Sequence, residues 1–579
     1  MFGIFSRLKL ADWALICVLV GFVVLQVYFD IQLATYTQTI FEEMTKADST
    51  TWSILGVGGI MLLFALGSMV STIVIGFVAA HVSSHLSYCL RNELYAKVQG
   101  FSAAETDKFS TAGLITRSTN DVQQVQMGVI MFLRVAISAP VTAIWAIVKI
   151  RASSVPLTLA TAGWIILMVA VIGSIFGIVC PKFKLIQKLT DKMNGVTREN
   201  LTGLRVVRAY NAEEYQEKKF EFVNDKITST HVFITRLLGV MLPGLMLVMN
   251  GITLTIYWFG AHLINTDSTF TFAQLVSFSN LAMQVLAAFM MLTMLFVMLP
   301  RASVSANRIN EVLSTSYSIE DKAQTTPLMR EKGGEIEFDH VYFKYPGADG
   351  YVLEDINFTV KKGETVAVIG ATGSGKTTLV NLIPRLFDVT GGSVKVNGVN
   401  VKDAAQSELH SVVGYVPQKG VLFSGSIKEN ITFGGNPNDA DMALSAEIAC
   451  ADEFIAEKEN GYDSLVSQGG KNVSGGQKQR LSIARAVNVK PQIFIFDDSF
   501  SALDYKTDKA VRSNLKKHTG GSTKIIVAQR IGTIKDADNI LVLDKGRIVG
   551  SGRHEELLRN CEIYRSIALS QLSKEELGL

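Results

Sequence analysis

Residues 370–377, Gly-Ala-Thr-Gly-Ser-Gly-Lys-Thr, have the types and the spacing needed to bind the phosphates of a nucleotide. The pattern G-x-x-x-x-G-K-[ST] lies here between an apolar strand-like run and a helix-like run, which is the context that the motif requires. Its glycines let backbone N–H groups face phosphate oxygens, and Lys376 can bridge the β- and γ-phosphates. Thr377 is a candidate Mg²⁺ ligand. The residues expected around the phosphates are Gly370, Thr372, Gly373, Ser374, Gly375, Lys376, Thr377 and Thr378.

Three further candidate residues follow two apolar runs. Residues 493–496, Ile-Phe-Ile-Phe, predict a buried strand that ends at Asp497, a carboxylate suited to binding Mg²⁺. Asp498 adds a second carboxylate directly after it. Gln529 ends the run Ile-Ile-Val-Ala-Gln, and its amide can form hydrogen bonds but cannot carry a positive charge. These residues indicate a site for a nucleoside triphosphate and a divalent cation.

A second phosphate-binding segment precedes Asp497 by 23 residues. Ser474, Gly475, Gly476 and Gln477 open a predicted helix, and a serine with two glycines at a helix start forms a nest of backbone N–H groups. Since the loop around Lys376 already holds one triphosphate, we expect this second nest to serve an ATP bound to another subunit.

The elements that position these residues form a soluble α/β domain from residue 334 onward. Strands are predicted at Glu335–Phe338, Tyr342–Tyr345 and Val366–Ile369, and residues 301–333 read as a polar linker. The fold class predicted for the whole chain is an α-helical transmembrane domain of six long helices fused to an α/β P-loop NTPase domain.

The part of the chain before residue 300 is too apolar for a soluble domain, and the whole chain is 48% hydrophobic and only 18% charged. Six stretches reach the length of about 20 residues that a bilayer-spanning helix needs. They lie near 12–38, 53–80, 128–150, 156–179, 235–262 and 272–299. The long connections 81–127 and 180–234 are basic, which places them and the C-terminal domain in the cytoplasm. These connections are expected to continue the spanning helices into the cytosol, because their apolar residues keep a helical spacing.

The predicted domains are an amphipathic elbow helix at 1–10, a transmembrane domain at 11–300, a linker at 301–333 and a nucleotide-binding domain at 334–579. The net charge of +3 gives no reason to expect a nucleic-acid partner, and the five cysteines have no metal-ligand spacing. Asp30, Arg134 and Asn250 are polar residues within the spans. They are either functional groups or, for Asp30 and Arg134, residues at headgroup or cytosolic depth.

With these motifs in this order, the chain resembles the ATP-binding cassette (ABC) transporters of the exporter type over essentially its whole length. The resemblance implies ATP and Mg²⁺ as cofactors, with Thr377, Gln418 and Asp497 at the metal. It also implies that Tyr345 stacks on adenine, that Gln418 senses the membrane helices, and that the loop ending at Asp504 communicates across a dimer. An ordinary structural residue is the alternative at each position, above all for Tyr345.

Two positions depart from the family's pattern. Where hydrolysing members have a glutamate that polarises the attacking water, this chain has Asp498, and where they have a histidine, it has Gln529. Both changes fall in one ATP site, whereas the segment Ser474–Gln477 is intact. The chain is therefore identified as the degenerate-site half of a bacterial heterodimeric multidrug exporter, with slow hydrolysis at its own site. The alternative is a homodimer that tolerates both variants.

The expected function is ATP-driven export of amphipathic compounds across the cytoplasmic membrane. Methionines in the last two spans, among them Met246, Met249, Met290 and Met291, suit a surface that accepts many apolar shapes, although they also suit simple packing. A lipid or lipopeptide flippase, with Arg134 as the candidate headgroup ligand, and an ATP-gated regulator that does not pump are the alternatives. The expected partners are a second half-transporter chain, membrane lipids and a small amphipathic substrate.

Overall fold

The structure is a computed structural model that describes residues 2–46, 49–266, 270–435 and 438–577. The chain divides into two compact units, one comprising Met1–Lys97 and Ala112–Thr315 and the other comprising Val98–Thr111 and Ser316–Leu579. The segment 98–111 of the first basic connection thus groups with the C-terminal residues. Its helix is tied to Ser318 through Glu105, whose carboxylate accepts hydrogen bonds from the Ser318 and Ser102 main-chain N–H groups at 3.0 and 2.8 Å.

Among the described residues, six helices are long and apolar enough to cross a membrane, as predicted. They are Leu10–Thr45, Thr51–Gln99, Thr111–Ser153, Val155–Thr202, Glu213–Thr266 and Phe272–Ser314. Their lengths of 36 to 54 residues exceed the roughly 20 that a bilayer requires. The helices are thus longer than a bilayer crossing requires; that their continuations lie in the cytosol stays a prediction. The helical segments are α1 (Phe2–Phe5), α2 (Leu10–Thr45), α3 (Thr51–Gln99), α4 (Ala103–Phe109), α5 (Thr111–Thr116), α6 (Val122–Met131), α7 (Ile137–Ser153), α8 (Val155–Thr202), α9 (Leu204–Ala209), α10 (Glu213–Thr266) and α11 (Phe272–Ser314). Two π-helical turns, Arg117–Asp121 and Phe132–Ala136, join α5 to α6 and α6 to α7.

Two expectations for the ends of this region need correction. The helix expected over 1–10 is a single turn, α1, because the Asp12 carboxylate accepts the Lys9 N–H at 2.9 Å and so fixes the start of α2 at Leu10. The segment expected to be a linker from 301 is helical as far as Ser314. Its polar side chains have partners within the first unit: Ser305 donates to Asp121 at 2.8 Å, and Glu311 pairs with Arg117 at 2.9 Å.

The second unit contains twelve strands among the described residues. They are β1 (Ile336–Phe343), β2 (Leu353–Val360), β3 (Thr365–Gly370), β4 (Gly391–Val396), β5 (Val399–Asn400), β6 (Val413–Val416), β7 (Gly425–Ser426), β8 (Leu465–Val466), β9 (Ile493–Asp497), β10 (Thr523–Val527), β11 (Asn539–Asp544) and β12 (Arg547–Gly552). The α-helices are α12 (Lys376–Asn381), α13 (Gln406–Val412), α14 (Ile427–Thr432), α15 (Asp439–Ile448), α16 (Asp452–Ala456), α17 (Gly475–Asn488), α18 (Tyr505–His518), α19 (Ile531–Ile534), α20 (His554–Asn560) and α21 (Glu562–Leu569). Short 3₁₀ turns occupy Arg330–Lys332, Gly461–Asp463 and Gln468–Gly470.

The two strands expected at Glu335–Phe338 and Tyr342–Tyr345 are one strand, β1. The polar pair Asp339 and His340 forms an irregularity instead of a strand end: His340 has a left-handed φ of 45°, and the pairing with β2 shifts between Phe338 and Val341. Extra residues in a strand are accommodated in this way as a bulge. Tyr345 consequently lies after the strand.

The order of strands in the larger sheet explains why distant motifs meet. Six strands follow the order β12-β11-β3-β10-β9-β6, and the five from β11 to β6 run parallel, while β12 is antiparallel to β11. The carboxyl ends of β3, β10, β9 and β6 therefore lie side by side. A smaller antiparallel sheet has the order β2-β1-β4-β5, and β7 pairs with β8.

Strand β9 is buried along its whole length, as its apolar sequence predicts for a strand covered on both faces. Phe494 and Phe496 enter one hydrophobic core, whereas Ile493 and Ile495 enter the core on the opposite face. This two-sided burial holds the end of β9, and with it Asp497, in a fixed position.

Candidate nucleotide-binding site

The phosphate loop begins where β3 ends, at Gly370. A Cβ atom on Gly370 would lie 2.1 Å from the carbonyl oxygen of Leu543, so no larger residue fits there. Gly373 and Gly375 have φ angles of 81° and 100°, in the left-handed region that L-residues avoid. The glycine spacing is thus required by the path of the loop, and α12 starts directly after it at Lys376.

Lys376 lies over this loop. Its Nζ donates hydrogen bonds to the carbonyl oxygens of Gly370 and Ala371 at 2.9 and 2.8 Å. Burial lowers the pKa of Lys376, and the charges of Asp498 and Asp497 oppose that shift. The Oγ of Ser374 is buried and has no hydrogen-bond partner among the described residues. The lysine, the unpaired hydroxyl and the glycine loop fit the phosphates of a nucleoside triphosphate.

Asp497, at the end of β9, is only 1% exposed. Its Oδ1 accepts a hydrogen bond from the Thr377 hydroxyl at 3.0 Å. Burial raises the pKa of Asp497, while the Thr377 hydrogen bond opposes this increase. A buried carboxylate next to a hydroxyl is an oxygen-ligand pair suited to Mg²⁺, which is commonly held by one or two carboxylates together with substrate phosphates.

One carboxylate oxygen of Asp498 accepts hydrogen bonds from two side-chain amides. Its Oδ2 accepts from Gln529 Nε2 at 3.0 Å and from Gln418 Nε2 at 3.3 Å. The three side chains come from the ends of the neighbouring strands β9, β10 and β6. Asp498 has a left-handed φ of 47°, a conformation that Asp adopts more readily than most residues. The structure therefore brings the two altered positions into direct contact.

These residues enclose one cavity of about 230 Å³. The lining residues are Val352, Thr372, Gly373, Gly375, Lys376, Thr377, Thr378, Gln418, Asp497, Asp498, Val527 and Gln529. The residues predicted from the phosphate loop, from β9 and from the segments after β6 and β10 thus meet around one volume. Of the described residues, none from the segment Ser474–Gln477 lines it.

Ser474 is the N-cap of α17. Its hydroxyl accepts from the Gln477 N–H at 3.3 Å, and Gln477 Oε1 accepts from the Ser474 N–H at 3.0 Å. Asp504 similarly caps α18, because its carboxylate accepts from the main-chain N–H and the hydroxyl of Thr507 at 3.0 and 2.7 Å. These hydrogen bonds lower the pKa of Asp504. The first-turn N–H groups of α17, from Gly475 and Gly476, remain suited to an anion.

Tyr345 lies beside the phosphate loop but does not line the cavity. Its hydroxyl is 2.9 Å from Thr378 Oγ1, and its ring meets Phe343 and Phe387 edge to face at 5.0 and 5.2 Å. These contacts fix the ring next to α12. Its stacking on adenine stays a prediction.

Two contributors to the site were not anticipated from the sequence. Gln571 Nε2 donates to the Gln529 carbonyl at 2.7 Å, and its Oε1 accepts from the Ile531 N–H at 2.9 Å. The C-terminal segment thereby holds the loop that carries Gln529. Val352 lines the cavity just before β2. The alternation of apolar residues at the start of β2 could have predicted a strand beginning near Val352. No pattern near Gln571 predicts its contact with the Gln529 loop.

The chain is similar to known proteins over most of its length. Residues 13–289 match the family model described as the ABC transporter transmembrane region, and residues 353–501 match the model described as ABC transporter. An ABC transporter ATP-binding protein of Mycobacterium tuberculosis is 38% identical over 536 residues, covering 91% of this chain and 89% of that protein. The probable multidrug resistance ABC transporter ATP-binding/permease protein YheI of Bacillus subtilis is 32% identical over 480 residues, covering 82% and 81%.

The fold has a close counterpart among solved structures. A bacterial Atm1-family ABC exporter with ATP bound superposes with a TM-score of 0.80 at 23% identity, over 97% of this chain and 98% of that one. The six spanning helices and the ATP-binding domain make the chain a multi-pass membrane protein whose nucleotide-binding domain is cytoplasmic. The chain belongs to the ABC transporter family, with a transmembrane domain of the exporter fold and an ATP-binding domain fused in one polypeptide.

Proposed function

We propose that this chain is one half of a heterodimeric, ATP-driven exporter of amphipathic compounds, and that it supplies the slower of two ATP sites. One observation carries the proposal: Asp498 Oδ2 accepts from the amides of both Gln418 and Gln529 in a cavity whose phosphate loop is intact. The site keeps what is needed to hold ATP but differs in the groups that would activate water.

The chemistry of Asp498 supports slow hydrolysis. Its side chain is one methylene shorter than the glutamate of the family pattern, and two amides already donate to one of its two carboxylate oxygens. Gln529 is neutral, so it cannot add positive charge near a γ-phosphate. Bound ATP and Mg²⁺ would supply the transferable phosphoryl group and neutralise its developing charge. Lys376 and Thr377 would hold them, and Asp498 would be left as a poorly placed base.

The intact segment Ser474–Gln477 supports a role at a second ATP. It does not line the cavity around Lys376, and its capped helix start offers N–H groups to an anion. In a two-chain transporter this segment would face the ATP held by the partner, which would contribute its own lysine, glutamate and histidine. Closure of the two ATP-binding domains around both nucleotides would then drive the switch of the membrane helices.

Export of amphipathic compounds is supported by a relative and by the membrane helices. YheI is named a probable multidrug resistance transporter. Met246 on α10 and Met291 on α11 are 63% and 52% exposed, and flexible thioethers adapt to varied apolar ligands. Met294 is another methionine of the last span predicted to suit such a surface, and its side chain is outside those that the structure describes. A lipid or lipopeptide flippase is the second candidate, because Arg134 in the π-helical turn is exposed and suits a headgroup phosphate.

The test is ATP-dependent transport into inside-out vesicles that contain the complex purified from its own membrane. A fluorescent amphipathic dye and a fluorescent phospholipid are compared, with the same vesicles without ATP as the inactive control. Accumulation of the dye but not of the lipid supports drug export, and lipid translocation alone supports the flippase. ATP binding without movement of either compound would overturn both and favour a nucleotide-gated regulator.

A further inference from the structure

Asp30 is a carboxylate in the middle of α2, within a run of apolar residues. Asp12 and Asp30 both lie on α2, and 18 residues of helix separate them by about 27 Å. That separation is close to the roughly 30 Å thickness of a bilayer's hydrocarbon core. Since the N-terminal end of α2 is cytoplasmic, Asp30 lies toward the outer boundary of the membrane. An ionisable residue at such a depth is by default a candidate functional group.

Asp30 joins three helices through hydrogen bonds. The Ser68 hydroxyl of α3 donates to Asp30 Oδ1 at 2.6 Å, and Gln284 Nε2 of α11 donates to the Asp30 carbonyl oxygen at 3.1 Å. No Lys, Arg or His side chain in the described part of the chain forms an ion pair with Asp30. The Oε1 atom of Gln284 is also buried without a hydrogen-bond partner in that part. The negative charge and a free acceptor therefore lie together without a cation.

An aromatic cluster is formed by Tyr28 and Phe29, which directly precede Asp30 on α2, together with Tyr36, Phe64 and Trp145. The Tyr28 ring lies 5.9 Å from Phe29, 6.4 Å from Phe64 and 5.9 Å from Trp145. The Phe64 ring in turn lies 6.0 Å from Phe29 and 5.2 Å from Tyr36. All five side chains keep part of their surface exposed. The faces of aromatic rings attract cations, most strongly where water is excluded.

Ser68 and Phe64 tie the two features together. They are four residues apart on α3 and so lie on the same face of that helix. That face is turned to α2, where Phe29 packs so closely against Gly67 that a Cβ there would come within 2.7 Å of the Phe29 ring. The carboxylate, its hydroxyl donor and the aromatic cluster thus form one surface between α2 and α3, with Trp145 of α7 at its edge.

We propose that Asp30 and the aromatic cluster form a binding site for a lipophilic organic monocation. The site offers a carboxylate, hydrogen-bond acceptors and aromatic faces, and among the described residues no cation pairs with Asp30; this chemistry selects a cation over an anion of the same shape. The inference rests on the proposed export function in one respect, since the cation would be a transported compound. Binding itself can be measured without transport.

The competing explanation is that Asp30 only fastens α2 to α3 through Ser68. Equilibrium binding of tetraphenylphosphonium and of tetraphenylborate to the purified full-length complex in lipid nanodiscs separates the two explanations, because these ions share size and shape and differ in charge. The variants are Asp30→Asn, the charge-restoring Asp30→Glu, and Phe64→Leu, which keeps an apolar side chain. Glu42→Gln is the control, because it removes a carboxylate twelve residues further along the same helix.

The site predicts that Asp30→Asn lowers the affinity for tetraphenylphosphonium by about tenfold or more, as expected for loss of a partly desolvated charge. Affinity for tetraphenylborate should not fall. Asp30→Glu should recover much of the cation affinity, Phe64→Leu should weaken cation binding, and Glu42→Gln should behave as the unmodified chain. Equal cation affinity in Asp30→Asn and the unmodified chain would overturn the proposal, as would equal losses for both ions. If Asp30→Asn does not fold, unchanged cation binding in Phe64→Leu has the same consequence.

Failure of this site and failure of the export function give different results. Cation binding that depends on Asp30, with no ATP-dependent movement of the cation, would keep the site and reject export. Transport of dye that is indifferent to Asp30→Asn, with unchanged binding of tetraphenylphosphonium, would keep export and reject the site.

Discussion

Asp498→Glu should accelerate ATP hydrolysis at the site formed by this chain's phosphate loop. The substitution moves the carboxylate out by one methylene, away from its present hydrogen bonds with Gln529 and Gln418 at 3.0 and 3.3 Å. A displacement of about 1 Å in a catalytic group can cost on the order of 100-fold in rate. That factor corresponds to about 2.7 kcal/mol in the activation free energy.

The partner's site would mask this gain, because in the proposed complex it carries most of the turnover. Ser474→Asp separates the two sites from within this chain. Asp keeps the N-cap hydrogen bond of α17 and sets a negative charge against the phosphates of the partner's ATP. Hydrolysis that remains in the Ser474→Asp complex then reports on the site that contains Lys376, Asp498 and Gln529.

Phosphate release from the purified complex is the assay, at saturating ATP and Mg²⁺. In the Ser474→Asp background, adding Asp498→Glu should raise the residual rate by up to about 100-fold. Adding Gln529→His should raise it further, and Asp498→Asn, the matched loss of charge, should abolish it. An unchanged residual rate after Asp498→Glu and Gln529→His together would refute the account of this site as limited by these two side chains.

Three further perturbations test other parts of the structure. Gly370→Ala should lower the melting temperature and abolish nucleotide binding, because its Cβ would meet the Leu543 carbonyl at 2.1 Å. Overpacking of this kind costs about 1–3 kcal/mol. Gly521→Ala, where a Cβ would meet open space, should leave the melting temperature and nucleotide binding unchanged. Thr377→Ala should raise the Mg²⁺ concentration needed for hydrolysis. It should also leave the buried Asp497 carboxylate without the Thr377 hydroxyl donor, which costs about 1–3 kcal/mol in unfolding free energy. Thr377→Ser should behave like the unmodified chain. Burial lowers the pKa of His554 below its ordinary 6.5, so the folded state binds fewer protons than the unfolded state, and stability should be lost as the pH falls from 6.5 toward the lowered value. Over that interval, hydrogen exchange of α20 and α21 should accelerate in the unmodified chain and less in His554→Gln. An equal pH dependence in both chains would contradict the role given to His554.

The six spanning helices and the phosphate loop could be predicted from the sequence because their signals are local. A run of about 20 apolar residues suffices to predict a spanning helix. The glycines at 370, 373 and 375 indicate a loop whose backbone conformation or close packing excludes larger residues. The helix ends were less predictable. Helix α11 continues to Ser314 because Ser305 and Glu311 find partners on the π-helical turn, and these contacts join residues far apart in the chain.

The convergence of both amides on Asp498 could not be read from the sequence. It depends on the strand order β3-β10-β9-β6 and on the side-chain conformations of Gln418 and Gln529. Gln571 supports Gln529 from 42 residues away, and Ser68 meets Asp30 from 38 residues away. The sequence identified the unusual residues Asp498 and Gln529, but the direct hydrogen bond between them required the fold.

The most direct test of the two-chain account is the composition of the complex isolated from its own membrane under mild conditions, determined by mass spectrometry. We predict a second chain of similar size in equal amount, with glutamate and histidine at the positions equivalent to Asp498 and Gln529. An active transporter that contains two copies of this chain and no other would show that Asp498 and Gln529 sustain turnover, and would contradict the degenerate-site assignment.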